Sequence, residues 1–259
     1  MGDKVGLKRV DYDRTQHAGY AKGRRLLPAS RRTWMRAFRE HAGDRRIATV
    51  LDVGSGTGRF TPALADEFGA DVIGVEPSAR MREVAHIESS HPLVRYVPGD
   101  ASALPVDDAS ADLALMFLVW HHVPDRPAAA RELARVLAPG ARLLMATTLS
   151  DRLKDLLLYR YFPRTRDIDA VVFPTLDETL GVFADAGFAH TALTEVHHRS
   201  ADSLAEYAGR QRMRALSVYE HLTDEEYRDG LAALEADAAA ETAPRPVESD
   251  CDLLAFTRR

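Results

Sequence analysis

The sequence predicts an α/β protein built on an open, mostly parallel sheet, and three observations carry that expectation. Apolar, β-branched runs alternate with helix-like segments from residue 46 to about 149. The first run, Val50-Leu51-Asp52-Val53, breaks into Gly54-Ser55-Gly56-Thr57-Gly58 before a helical stretch begins. Such a strand, tight turn and helix start mark the place where an open parallel sheet presents its ligand crevice, and glycine allows close approach to the backbone. Three strand ends are acidic and evenly spaced: Asp52, Glu76 and Asp100 lie 24 positions apart, one βα unit per step. Strands alternating with helices require right-handed crossovers and parallel pairing.

The elements follow in order. Residues from about 10 to 44 read as helical, with Pro28-Ala29-Ser30 opening a segment in which Trp34, Phe38 and His41 share one face. Arg31, Arg32, Arg36, Arg39, Arg45 and Arg46 make this region basic, but no aromatic platform is interleaved, so they read as a solvated face. Strands are expected near 48–53, 71–76, 93–98, 111–117 and 141–148, and helices near 59–68, 78–89 and 126–138. After Leu149 the rhythm breaks. Leu153, Leu156, Leu157, Leu158, Tyr159, Tyr161 and Phe162 read as an apolar helix ending before Pro163. Thr175 to Gly187 reads as a helix, with Asp177 and Glu178 in its first turn and Gly187 as its stop. Residues 188–198 read as a strand, 202–221 and 223–241 as two helices, and Cys251 to Thr257 as a terminal strand.

The 259 residues suffice for one large domain with a substantial core. Hydrophobic and charged fractions of 46% and 28% are those of a globular protein, and the net charge of −5 argues against general nucleic-acid binding. No apolar run reaches membrane-spanning length, and the charged first ten residues lack the apolar stretch of a signal peptide. The single cysteine, Cys251, excludes a disulfide or cysteine cluster within the chain and reads as a small buried hydrophobe. The expected location is cytoplasmic.

The glycine turn departs from a dinucleotide fingerprint. Gly54-x-Gly56-x-Gly58 leaves Arg59 where the third glycine of Gly-x-Gly-x-x-Gly would stand, and Asp52 before the turn suits a cationic ligand better than a pyrophosphate. This run closely resembles motif I of the class I S-adenosylmethionine-dependent methyltransferases. The segment Phe117-Leu118-Val119-Trp120-His121-His122-Val123-Pro124-Asp125 resembles motif IV of the small-molecule branch of that family. Ala138-Pro139-Gly140-Ala141 resembles its turn before the fifth strand, with Ala141 in place of a second glycine.

The resemblance implies a Rossmann-like seven-stranded, mostly parallel sheet with an antiparallel last strand. It also implies a helical cap from the N-terminal helices and an insert after strand 5. On that pattern the chain is one domain: an N-terminal cap over 1–45, a cofactor-binding core over 46–149, substrate-side cap and helices over 150–245, and a terminal strand over 246–259. The implied cofactor is S-adenosylmethionine. Asp52, Gly54, Ser55, Gly56 and Gly58 would surround it, Glu76 and Pro77 would hold its ribose, and Asp100, Ala101 and Ser102 its adenine. Phe117 and His122 would lie beside it, with Tyr20 and Arg24 covering it and contacting its carboxylate. Tyr12, Trp120 and Tyr159 are candidates for the acceptor pocket.

Methyl transfer from a sulfonium needs position and dryness, and a base only for some acceptors. His121 stands as that base or as a residue packed near the cofactor. His197-His198 lacks partners at metal-ligand spacing, and no metal is expected. The expected activity is O-, N- or C-methylation of a small molecule in bacterial secondary metabolism, by a monomer or homodimer that binds neither nucleic acid nor membrane. Met116-Phe117-Leu118-Val119 stands where an Asn/Asp-Pro-Pro-Tyr/Phe motif would mark nucleic-acid or protein amide acceptors, and one cysteine is too few for arsenic methylation. Two alternatives stay open: an NAD-dependent oxidoreductase, which leaves Asp52 and Asp100 unexplained, and a cofactor-binding regulatory protein without turnover.

Overall fold

Seven strands join in one sheet with the order β3-β2-β1-β4-β5-β7-β6. They are β1 Thr49–Val53, β2 Asp71–Val75, β3 Val94–Val97, β4 Ala111–Phe117, β5 Leu137–Thr147, β6 Phe188–Ala201 and β7 Val247–Arg258. The structure is a computed structural model and describes residues 22–259. Tyr12 and Tyr20 lie outside the described residues, as does the chain before Lys22. Strands β1 to β5 pair in parallel, and β7 runs antiparallel between β5 and β6, as expected.

The central strands are mostly apolar because both faces are covered. Leu51, Val53, Ile73 and Met116 enter one core, while Val50, Val72, Leu113 and Leu115 enter the other. Helices α1 Pro28–His41 and α2 Thr61–Phe68 cover the second face. Helix α3 Ala79–Glu88 follows β2 and is capped by the Ser78 side chain. Helices α4 Arg126–Val136 and α7 Leu176–Asp185 cover the first face. A third core, formed by Leu158, Tyr161, Phe162, Tyr207, Tyr219 and Leu234, unites α5 Leu157–Tyr161, α6 Arg164–Val172, α8 Leu204–Gln211 and α9 Asp224–Ala239.

Several expectations change. Helix α1 is a layer of the sheet core and not a cap, since Trp34 and Phe38 are fully buried against Phe60 and Phe117. The apolar helix of the insert ends before Pro163 as expected, but it spans only Leu157–Tyr161, and a second helix, Arg164–Val172, follows. The stretch expected as one helix over 202–221 stops at Gln211; Arg214 takes φ +46, and a short 3-10 turn follows at Ser217–His221. Strand β6 begins where expected but runs on to Ala201, and β7 begins before Cys251, at Val247, with pairing from Phe188↔Arg258 to Ala201↔Val247.

Candidate functional site

Strand order reverses between β1 and β4: the chain after β1 steps outward through β2 to β3, then returns to β4 on the other side. The carboxyl ends of these strands leave a crevice at that switch point. A cavity opens there, lined by Gly54 and Gly56 after β1, Glu76 and Pro77 after β2, Asp100, Ala101 and Ser102 after β3, and Phe117 and His122 at and after β4.

The turn is built to let chain segments converge. Gly54 has φ +72, and a Cβ there would come within 2.5 Å of Val119 Cγ2, so only glycine lets the loop after β4 close over the turn after β1. The Glu76 carboxylate is buried and fixes the turn from the other side. Its Oε2 accepts from Gly56 N–H at 3.0 Å and its Oε1 from Ser78 N–H at 2.9 Å. Asp100 Oδ1 accepts from the Ser102 N–H at 2.8 Å and the Ser102 hydroxyl at 2.6 Å, which shapes the loop after β3.

Not every expected residue reaches the cavity. Asp52 is buried beneath the turn, where its Oδ2 accepts from the Thr61 hydroxyl at 2.6 Å. Burial raises its pKa to about 6; the Thr61 bond opposes the rise and the Glu76 charge adds to it. Asp52 thus organises the turn from below and does not line the cleft. The Ser55 hydroxyl packs toward Gly74, and the space at Gly58 is occupied by the Tyr96 hydroxyl, so both serve the turn's fit to β2 and β3. Arg24 lies in an adjoining cavity that shares Phe117 and Leu118 with the first.

The loop after β4 corrects two further expectations. Trp120 is fully buried against Phe183, with ring centroids 4.9 Å apart, and so belongs to the core and not to an acceptor pocket. Of the two histidines, His122 lines the cleft. The His121 ring packs against Phe173 at 4.3 Å, and its Nδ1 is buried with no hydrogen-bond partner among the described residues. Desolvation, then the charges of His122, Arg126 and Arg24, hold the His121 imidazole well below its ordinary range. Tyr159 is likewise turned away: its hydroxyl bonds Asp169 Oδ2 at 2.9 Å within the cap.

Sequence reading missed Met81, whose place one turn into α3 puts an apolar wall beside Glu76 and Pro77, and Leu118, Val119, Val123 and Pro124. Leu118 carries φ +55, costly for a branched side chain, and its N–H continues the β4–β5 pairing to Ala146 O at 2.8 Å. It also missed a cluster on the hairpin, where register sets His197 opposite Asp250 with Glu195 nearby. Lys154 already pairs with Glu195 and Asp252 there. Cys251 is buried as expected, and burial pushes its thiol up to about 12.

Comparison with known proteins adds a likeness to one family. Residues 51–145 match the methyltransferase domain family. An uncharacterized methyltransferase of Mycobacterium tuberculosis is 38% identical over 135 residues, covering 52% of this chain and 51% of that protein. The chain thus spans about half the length of the curated relatives it matches. A methyltransferase assigned to an antibiotic biosynthesis pathway of Anabaena variabilis superposes with a TM-score of 0.69 at 21% identity, over 86% of this chain and 96% of that one. Geranyl diphosphate C-methyltransferase of Streptomyces coelicolor, solved with geranyl diphosphate and S-adenosylhomocysteine, superposes with a TM-score of 0.56 at 17% identity, over 88% of this chain and 79% of that one. Residues 51–145 are thus similar to the methyltransferase domain family, and the chain shares its fold with the solved methyltransferases.

Proposed function

We propose that this protein is an enzyme that moves a methyl group from S-adenosylmethionine to a small-molecule acceptor. The observation that carries the reading is the cleft in which the glycine turn, Glu76 and Asp100 line one cavity at the switch point of the sheet. The donor set fits this cofactor. Glu76 is already pinned by two backbone N–H groups and offers its remaining lone pairs to the ribose hydroxyls. Asp100 Oδ2, which has no hydrogen bond among the described residues, would accept from the adenine amine. Met81, Val123 and Pro124 supply apolar walls for the base.

When bound, the cofactor supplies an activated methyl on a cationic sulfonium, open to in-line displacement. This chain's own residues bind, orient and keep the site dry. Phe117 and Leu118 line both the donor cleft and the adjoining cavity, so a donor and an acceptor would meet beside them. For a hydroxyl acceptor, His122 takes the proton, since it lines the cleft and His121 does not.

The assignment to bacterial secondary metabolism rests on kinship with the Anabaena protein, and a reducing cytoplasmic setting on the single buried thiol. Among the described residues, no helix is long and apolar enough to cross a membrane. Calorimetric titration tests the cofactor. S-adenosylhomocysteine should bind in the micromolar range and NAD should not; the opposite preference overturns the reading in favour of an oxidoreductase.

A further inference from the structure

The adjoining cavity combines two chemical characters. Leu156, Leu157, Leu158 and Leu216 give it an apolar wall. Arg24, Arg25, Arg59, Arg199 and Arg210 bring cationic groups, while Asp250 is its only acidic lining residue among those described. Most of these groups are engaged. Arg210 binds Glu206 at 2.6 Å and the Arg25 carbonyl at 2.8 Å, and Arg59 donates to the Arg24 carbonyl at 2.9 Å and lies over the Phe117 ring. Asp250 is held by His197 at 2.5 Å.

Arg24 differs. Its guanidinium is partly buried and makes no hydrogen bond or ion pair among the described residues. It shares the cavity with His198 on β6, Tyr207 on α8 and Cys251 on β7. A guanidinium in a partly apolar cavity whose one acidic lining residue among those described is already held by His197 has lost part of its hydration and gains from an arriving anion. A planar fork of donors suits a carboxylate or phosphate.

We propose that this cavity is the acceptor site and that its acceptor carries an acidic group, carboxylate or phosphate, on an apolar body, with the acid on Arg24 and the body against Leu156, Leu157 and Leu216. This rests on the first cleft being the methyl-donor site. The same chemistry has a second source in the carboxylate of the donor's amino-acid tail. The acceptor is favoured because Arg24 lines the cavity beyond Phe117 and Leu118, whereas Glu76 and Gly56 line the first.

A matched pair of fluorescent probes tests it: anilinonaphthalene sulfonate, an aromatic anion, and phenylnaphthylamine, the same body without the acid. On protein saturated with S-adenosylhomocysteine, the anion should bind about tenfold or more tighter than the neutral probe. Arg24→Gln should remove that preference and leave neutral binding unchanged, while Arg24→Lys retains part of it. Arg24→Gln should leave S-adenosylhomocysteine affinity within about twofold of wild type. Equal binding of the two probes by wild type, or a preference that survives Arg24→Gln, overturns the proposal. So does a variant that loses affinity for S-adenosylhomocysteine but not for methylthioadenosine, which lacks the tail; the anion on Arg24 is then the donor's own. Failure of wild type to bind S-adenosylhomocysteine defeats the donor-site reading instead, and the probe comparison on unliganded protein remains informative.

Discussion

Glu76 ties the turn after β1 to the end of β2, and its replacement should be felt twice. In Glu76→Ala, Gly56 N–H and Ser78 N–H lose acceptors at 3.0 and 2.9 Å, and a bound ribose loses its acceptor as well. Hydrogen bonds to a charged group contribute about 1.5–3 kcal/mol. Loss of the ribose contact should therefore weaken S-adenosylhomocysteine by roughly 10- to 150-fold. The two backbone donors lie beside an open cleft that water can enter, so the unliganded protein should lose only about 1–3 kcal/mol. For a chain near this size each kcal/mol lowers Tm by ~2–4 °C. Glu76→Gln keeps a carbonyl oxygen for one partner and should fall between wild type and the alanine variant on both scales. Calorimetry and thermal unfolding without ligand read the two effects separately. Unchanged affinity in Glu76→Ala would remove the end of β2 from the cofactor site. Lost affinity with an unaltered unliganded Tm would refute the claim that this carboxylate holds the turn.

Other outcomes follow from the same geometry. Asp52 has its pKa raised from 3.8 to about 6, so the folded state holds its proton more tightly than the unfolded chain. Its stabilising contribution is full below the unfolded value of 3.8 and is lost as pH rises through about 6. Asp52→Asn, which still accepts from Thr61, should thus gain on wild type by up to about 3 kcal/mol between pH 4 and 7, and a Tm difference independent of pH would contradict this. His122→Gln should lower turnover of a hydroxyl acceptor by roughly 10²–10⁴, and His121→Gln by less than about tenfold. The reverse order in kcat would return the base to His121. Gly230→Ala places a Cβ against the Tyr161 carbonyl and the Phe162 ring where α9 meets α5. It should cost about 1–3 kcal/mol in denaturant unfolding, and an unchanged midpoint would show that the cap core yields freely.

Much of the site was legible because its signals are local. The glycine turn, the acid at the end of each of the first three strands, and the Phe117-to-Asp125 loop are contiguous pieces, and a parallel sheet brings successive strand ends to one edge by construction. What failed depended on which way a side chain points. Trp120 and His121 stand in the expected loop, yet a two-residue step along that short 3-10 turn separates His122, which lines the cleft, from Trp120, which enters the core against Phe183. Asp52 was rightly placed at the turn, but its carboxylate satisfies Thr61 from beneath. Tyr159 was placed in the right insert, and its phenol found Asp169 ten positions on instead of a pocket.

By itself the sequence determined the α/β class, the strand order's central crevice and the acidic, glycine-lined cleft, because hydrophobic period and turn chemistry act within a few residues of one another. Only tertiary structure decided the second cavity and the His197–Asp250 pairing. Arg24, Leu156, His198, Arg210 and Cys251 come from five separate stretches of chain, and no local rule brings them together. Their meeting depends on β7 inserting antiparallel between β5 and β6, and on α8 packing where that hairpin ends. Long-range pairing of this kind is set by the burial of whole faces, a property of the assembled sheet and not of any segment within it.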